Sequence, residues 1–235
     1  LRQSSIISTF VLKPEDENDM ETMFDTLLQL PLFQGLAQED FTRILEKVKL
    51  HFTKYKPGEL LLKEGGACHE LVFVLKGEIA SSTSSADSSY CFTEYFPAPF
   101  LIEAHSIFGM KTHYASTYRA RTEVHTVSIS KAFVVKELFN YEIFRLNYMN
   151  TQMLHNRLWA VFGNSPESRI IHFILSHTER LSGEKILKIK MEDLAQIINE
   201  TRTGVSKALN TMQTKGLVEL HRGEIILPNV ENLIN

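Results

Sequence analysis

The stretch MEDLAQIINETRTGVSKALNTMQTKGL, residues 191–217, decides how this chain is read. Leu194, Ala195, Ile197 and Ile198 fall on one face of a short helix. Val205, Ala208, Leu209 and Met212 do the same on a second, both at the 3.6-residue period of a buried helical stripe. The two faces pack against each other as a helix-turn-helix. Ala195 is small enough for close approach at the joint, and Asn199 tolerates the left-handed backbone a sharp turn demands. Thr201 is placed as the N-cap of the second helix. From Thr201 to Leu217 the chain carries Arg202, Lys207 and Lys215 and no acid, so the exposed face of that helix is basic. Arg202 and Thr203 open it, with Ser206 and Lys207 one turn later, where a recognition helix points side chains at base edges. An arginine grips guanine O6 and N7 bidentately, and a threonine touches a thymine methyl or a phosphate. An amphipathic helical pair with a merely solvated basic face is the competing reading.

Downstream, LVELHRGEIILPN places two short apolar runs, Leu217 to Leu220 and Ile225 to Leu227, around His221-Arg222-Gly223-Glu224. Gly223 supplies the positive φ of a tight hairpin, which makes the unit a winged helix. Arg222 at the tip is a candidate phosphate contact, while a wing that only covers the helical core is the alternative. Upstream, Gly163-Asn164-Ser165-Pro166 reads as a hinge, with Ser165 and Pro166 opening a helix to Leu181 and a short strand, Ile186 to Ile189, leading into the helix-turn-helix.

A helix from Tyr141 to Phe162 precedes the hinge. Along it Ile143, Leu146, Met149 or Asn150, Met153, Arg157 and Val161 recur every three or four residues. This stripe either rests on the preceding domain or pairs with its twin in a homodimer, the reading favoured here. Ser130 is placed as the N-cap of a shorter helix, Lys131 to Phe139. From Leu50 to Ile129 short apolar runs are cut by turns such as KPGE, EGGA and KGE, the pattern of a compact β-barrel or roll, with Ser81 to Ser89 as a mobile hairpin tip. The helices at Met20 to Leu30 and Gln38 to Val48 read as packing helices.

The fold class is therefore α+β: an N-terminal jelly-roll-like β-roll sensor, a long dimerisation helix and a C-terminal winged helix. The boundaries expected are a tail over 1–19, the sensor with its flanking helices over 20–130, connecting helices over 131–163 and the DNA-binding domain over 164–235. The 235 residues suffice for two cores, and a net charge of −3 means that affinity for DNA comes from a local patch. No apolar run approaches membrane-spanning length and no secretion segment is visible. The two cysteines, Cys68 and Cys91, sit in strand-like sequence without metal-ligand spacing and read as reduced thiols in a cytoplasm.

With PLFQGL, YKPGELLLKEG, FVLKGEI, HNRLWAVF and residues 191–220 in this order, the chain resembles the Crp–Fnr family of transcription regulators from about Leu27 to Leu227. The resemblance implies a homodimer on palindromic double-stranded DNA, with recognition helices ~34 Å apart, and RNA polymerase as a candidate partner. It places Arg202 on the family's base-reading arginine and Lys207 on the basic residue one turn later. Thr203 stands where a glutamate is common, which should change the half-site.

The sensor departs from the family pattern. Nucleotide-binding members carry Gly-Glu for the ribose and Arg-Ser about ten residues later for the cyclic phosphate. This chain has Ile102-Glu103 and Tyr114-Ala115. A phosphate without that arginine is a buried unpaired charge. His113 replaces it only when protonated, Arg119 and Arg121 fall at another phase, and Val161 and Phe162 replace the polar pair that meets adenine. Cyclic AMP in the usual mode is therefore not expected. Glu103, His113, Tyr114 and Tyr118 are the candidate ligand-binding residues, and the pocket either takes an apolar or aromatic small molecule or is filled by side chains. A cyclic-nucleotide-responsive regulator and a small-molecule sensor acting through protein partners stay open as alternatives. No cofactor or metal is expected: two cysteines cannot hold an iron–sulfur cluster, none of the nine histidines stands out as a haem ligand, and His105, His113 and His125 lack the spacing of a cupin enzyme.

Overall fold

The computed structural model describes residues 25–233 except 86, 109–111 and 158–164. A helical turn at 25–28 and helix α1 (Gln38–Lys47) precede eight strands: β1 (His51–Tyr55), β2 (Leu60–Leu62), β3 (Glu70–Lys76), β4 (Glu78–Ser84), β5 (Tyr90–Pro97), β6 (Phe100–Ile102), β7 (Thr117–Ala120) and β8 (Val124–Ser130). Helices α2 (Lys131–Lys136), α3 (Glu142–Arg157) and α4 (Pro166–His177) follow. The chain then runs through β9 (Lys185–Ile189), α5 (Met191–Ile197), α6 (Arg202–Thr214), β10 (Glu219–His221) and β11 (Glu224–Leu227).

Strand β3 organises the roll. It lies inside a four-stranded sheet ordered β1-β8-β3-β6, and its side chains alternate between two cores at the period of 2 that a strand imposes. Leu71 and Phe73 face the helices, packing with Leu27, Phe33, Phe41, Val134 and Phe144, whereas Val72 and Val74 face Ile79, Phe96 and Tyr118 inside the roll. A strand covered on both faces reads as an unbroken apolar run, hence ELVFVL. Gly77, at φ 92°, turns β3 into β4 where a Cβ would collide with the Glu123 carbonyl oxygen, so the KGE turn admits only glycine. The PLFQG turn is tied to α3 by the Asn147 amide, which donates to the carbonyls of Leu32 at 3.3 Å and Gln34 at 2.8 Å.

Three sequence expectations change. The serine tract is not all hairpin tip: Ser81 to Ser84 are strand residues paired with β5 and β7, and Ser81 is buried. Its polar composition hid a strand whose ladder is satisfied on both sides. Ile197 is 41% exposed, because α5 ends there and only Leu194, Ala195 and Ile198 turn inward. The third change is larger. The second sheet has seven strands in the order β10-β11-β9-β5-β4-β7-β2, so the wing and the roll share one sheet through β5 and β9. Tyr90 pairs Ile189, Phe92 pairs Leu187 and Glu94 pairs Lys185. Phe92 belongs to the core of the winged helix, beside Ile174, Leu187 and Leu209, with Tyr90 packed against it.

On α3, Phe144 and Tyr148 are buried while Ile143, Leu146 and Met149 are 41%, 50% and 58% exposed. Of the rest of the predicted stripe, Met153 and Arg157 continue α3, whereas Val161 and the hinge at Gly163 lie outside the described residues.

Candidate functional site

The helix-turn-helix is held at its joint by backbone geometry and one arginine. Asn199 adopts φ 52°, the left-handed conformation expected of it. Arg169, on α4, donates through Nη1 to the carbonyls of Asn199 at 2.8 Å and Ile198 at 3.4 Å and pairs with Glu200 at 3.8 Å. These contacts satisfy carbonyls that the end of α5 leaves without helical partners. Thr201 Oγ1 accepts from Gly204 N at 3.0 Å, completing the N-cap of α6. Val205, Ala208, Leu209 and Met212 are buried beneath the helix, which fixes the opposite face outward.

That outward face carries Arg202, Thr203 and Lys207, all exposed, and Ser206, half-buried. Arg202 is 71% exposed, and its Nε lies 3.1 Å from Glu192 Oε1 of α5. An exposed pair of this kind is worth well under ~1 kcal/mol and yields readily to a phosphate or a base. Lys215 stands apart. It caps the far end of α6, roughly 20 Å from Arg202 at ~1.5 Å per residue, and its Nζ is 2.8 Å from Glu167 Oε1. Arg222 is exposed at the two-residue turn of the wing, which Gly223 closes at φ 80°. Among the described residues neither Lys207 nor Arg222 has an ion-pair partner. Thr201, Arg202, Thr203, Ser206 and Lys207 thus share one end of α6, while Lys215 and Arg222 flank it on other elements.

The four candidate ligand residues do not form one cluster. Glu103 and Tyr118 meet inside the roll, both buried. Tyr114 is buried in the helix-side core near Cys68, where burial and the Cys68 thiol push its phenol far above the usual range, and His113 is exposed. Glu103 sits at φ 34°, a conformation that costs a non-glycine residue of order 1 kcal/mol. That backbone folds its carboxylate back onto the chain. It accepts from Ala115 N at 2.9 Å, Ser116 N at 3.0 Å, Ser106 Oγ at 3.0 Å and the Tyr118 hydroxyl at 3.0 Å. The two adjacent backbone N–H groups, an arrangement suited to an anion, are taken by the protein's own carboxylate.

Sequence reasoning missed several residues here. Glu179, from the segment after α4, enters the roll beside Tyr118, and Glu94 of β5 pairs with Lys185 of β9 at 3.3 Å, both buried. A signal for the pair was available: Glu94 lies in phase with Phe92 and Phe96, and Lys185 with Leu187 and Ile189. A charge on the buried phase of a strand implies an opposite charge facing it. Glu192 and Arg169 left no such mark. Among the described residues no cluster of His, Cys, Asp and Glu could hold a metal ion, and no helix is long and apolar enough to cross a membrane.

Comparison with known families matches residues 52–141 to the cyclic nucleotide-binding domain and residues 168–235 to the Crp-like helix-turn-helix domain. No curated protein matches the chain. Among solved structures, the catabolite activator protein of Thermus thermophilus is 15% identical, covering 87% of this chain and 97% of that one, with a TM-score of 0.46. DNR of Pseudomonas aeruginosa is 15% identical over 94% of this chain and 99% of its own, again at 0.46. The separate sensor domain of that transcriptional regulator is 14% identical over 63% of this chain and 99% of its own, at 0.51, a likeness of fold. A cyclic nucleotide-binding roll joined to a Crp-like helix-turn-helix is the composition of one group of DNA-binding transcription regulators, and the chain belongs to it, the Crp–Fnr family.

Proposed function

We propose that the protein acts as a homodimer on two-fold symmetric double-stranded DNA, with α6 in the major groove and Arg202 reading a base. The observation that carries this reading is the solvent face of α6, where Arg202, Thr203 and Lys207 stand free of the core at the capped end of the helix. Thr201, Lys207 and Arg222 position the helix on phosphates; Thr203 and Ser206 face the groove. Lys215 contributes to phosphate binding only by exchanging Glu167 for DNA. The affinity is expected to fall steeply with rising salt, since each phosphate contact releases a counterion. Selection of sites from a random DNA pool by the purified protein tests the proposal. RNA polymerase remains the partner that a regulator of this kind implies.

The exposed apolar stripe of α3 supports the dimer. Replacing Leu146 with Asp puts a charge into that face and is expected to convert dimers to monomers in sedimentation velocity. An unchanged dimer would place the interface elsewhere.

The roll is not proposed to bind cyclic AMP in the usual mode. The N–H groups of Ala115 and Ser116 already hold the Glu103 carboxylate, and a cyclic phosphate brought there would meet that charge with no arginine beside it. Calorimetry with cyclic AMP is expected to register no stoichiometric binding. Micromolar, stoichiometric binding abolished by Glu103→Ala would contradict this.

A further inference from the structure

The roll and the winged helix meet in a polar cluster to which both contribute, buried at Ser81, Glu94, Glu103, Tyr118 and Lys185, half-buried at Glu179 and exposed at Arg180. The roll supplies Ser81, Glu94, Glu103 and Tyr118; the other side supplies Glu179 and Arg180 after α4, and Lys185 of β9. Glu103 N donates to Glu179 Oε1 at 3.1 Å. The Tyr118 hydroxyl oxygen lies 3.0 Å from Glu103 Oε1 and 2.7 Å from Glu179 Oε2. A phenol has a single hydrogen, which fills one of those gaps. The other brings two oxygens to hydrogen-bonding distance and needs a second proton. Glu103, surrounded by the donors of Ala115, Ser116 and Ser106, is the carboxylate held ionised and takes the Tyr118 hydrogen. Glu179 Oε2 therefore carries the other proton and donates it to the Tyr118 oxygen.

We propose that this shared proton is a latch: protonated Glu179 locks the winged helix onto the roll, and loss of the proton as pH rises releases β9 from β5.

Burial first, then the charges of Glu103 and Glu94, push the Glu179 carboxyl up to about 8. Burial likewise raises Glu103 and Glu94 and lowers Lys185, whose pairing with Glu94 opposes both of the latter shifts. The remaining groups facing Glu179 are Tyr118, whose hydroxyl burial keeps protonated, and the Arg180 backbone, which with Glu179 N donates to Glu94. Once undocked, Glu179 is solvated and titrates as an ordinary carboxyl. The docked form then holds one more proton across the interval from that ordinary value to about 8. Docking is strongest below the interval, weakens by up to ~tenfold per pH unit through it and loses this contribution above it. His177, bonded to the Tyr90 hydroxyl at 2.7 Å across the same interface, is pushed down by burial and titrates on the acid side.

Docking itself requires no DNA; its consequence, that the proton decides whether α6 is held or freed, rests on the reading above. The test is amide exchange from about pH 6.5 to about pH 9.5, with protection corrected for intrinsic base catalysis and no DNA present, so its failure is distinct from failure of the regulator reading. In the wild type, protection of the β5–β9 ladder should fall by up to ~tenfold per unit until about pH 8, while the β3–β8 ladder holds. Glu179→Gln, whose amide both donates to Tyr118 and accepts from Glu103 N, should show no such fall up to about pH 8. A flat wild-type profile, the same fall in Glu179→Gln, or loss of β3–β8 in step would overturn the latch. Infrared spectroscopy of the wild type gives a second readout that needs no variant. A protonated-carboxyl band at neutral pH that disappears above about pH 8 is expected, and its absence at neutral pH would also overturn the proposal.

Discussion

Arg202→Ala is expected to lower affinity for the selected DNA site by about 5- to 150-fold, the ~1–3 kcal/mol of one bidentate base contact, while affinity for random DNA falls far less. The structure places the guanidinium at the first position of α6, largely in solvent, with the exposed Glu192 as its one ion-pair partner among the described residues to give up on binding. The backbone beneath it is anchored by the Thr201 cap and by Arg169, so the truncation removes the contact without moving the helix. Competition titrations with selected and scrambled duplexes separate the two affinities. Lys207→Ala, by contrast, should weaken both duplexes alike and reduce the salt slope by about one. Equal loss on both duplexes for Arg202→Ala would make it a phosphate contact and move base reading to another residue.

The largest structural effect is expected from Glu94→Ala. Lys185 is fully buried, and among the described residues its ammonium has, apart from Glu94, only the carbonyls of Ser182 at 2.8 Å and Gly183 at 3.2 Å. Removing one partner of a buried pair costs about 3–5 kcal/mol, because the other charge is left uncompensated. Lys185 escapes that cost by leaving β5, so the loss should appear as undocking rather than as unfolding of either core. Exchange of the β5–β9 amides should rise by orders of magnitude while thermal unfolding of the roll core changes little. Joint replacement of Glu94 by Leu and Lys185 by Met should restore part of the protection, since it removes the uncompensated charge but leaves the Glu179 and Arg180 N–H groups without their acceptor. Unaltered β5–β9 exchange in Glu94→Ala would mean that the ion pair does not hold the domains together.

Local pattern carried most of the helix-turn-helix geometry and much of the fold. The helical period, the Thr201 cap and the left-handed Asn199 each follow from one or two residues, and each lies where the sequence puts it. The Gly77 and Gly223 turns are legible for the same reason, because a steric requirement confined to a few atoms leaves its mark in residue type. What the sequence hid is non-local. Pairing of β5 with β9 joins residues 91 to 99 positions apart, and both strands look like ordinary half-buried strands of their own domains. Glu179 sits in a polar stretch, TERLSGEK, where nothing distinguishes an acid inserted into a distant roll from one left in water. Ile197 was misplaced by a shorter-range effect: α5 closes within seven residues, and its last apolar position turns away from the core.

The proposed function requires α6 to read DNA from a symmetric pair of chains. Sequencing the duplexes that the purified protein enriches from a random pool, together with the mass of the complexes they form, tests this most directly. Two inverted half-sites centred about 10 base pairs apart, or a whole-turn multiple, with two chains per duplex and enrichment lost in Arg202→Ala, is the predicted result. No enriched motif, or an asymmetric site bound by one chain, would contradict it.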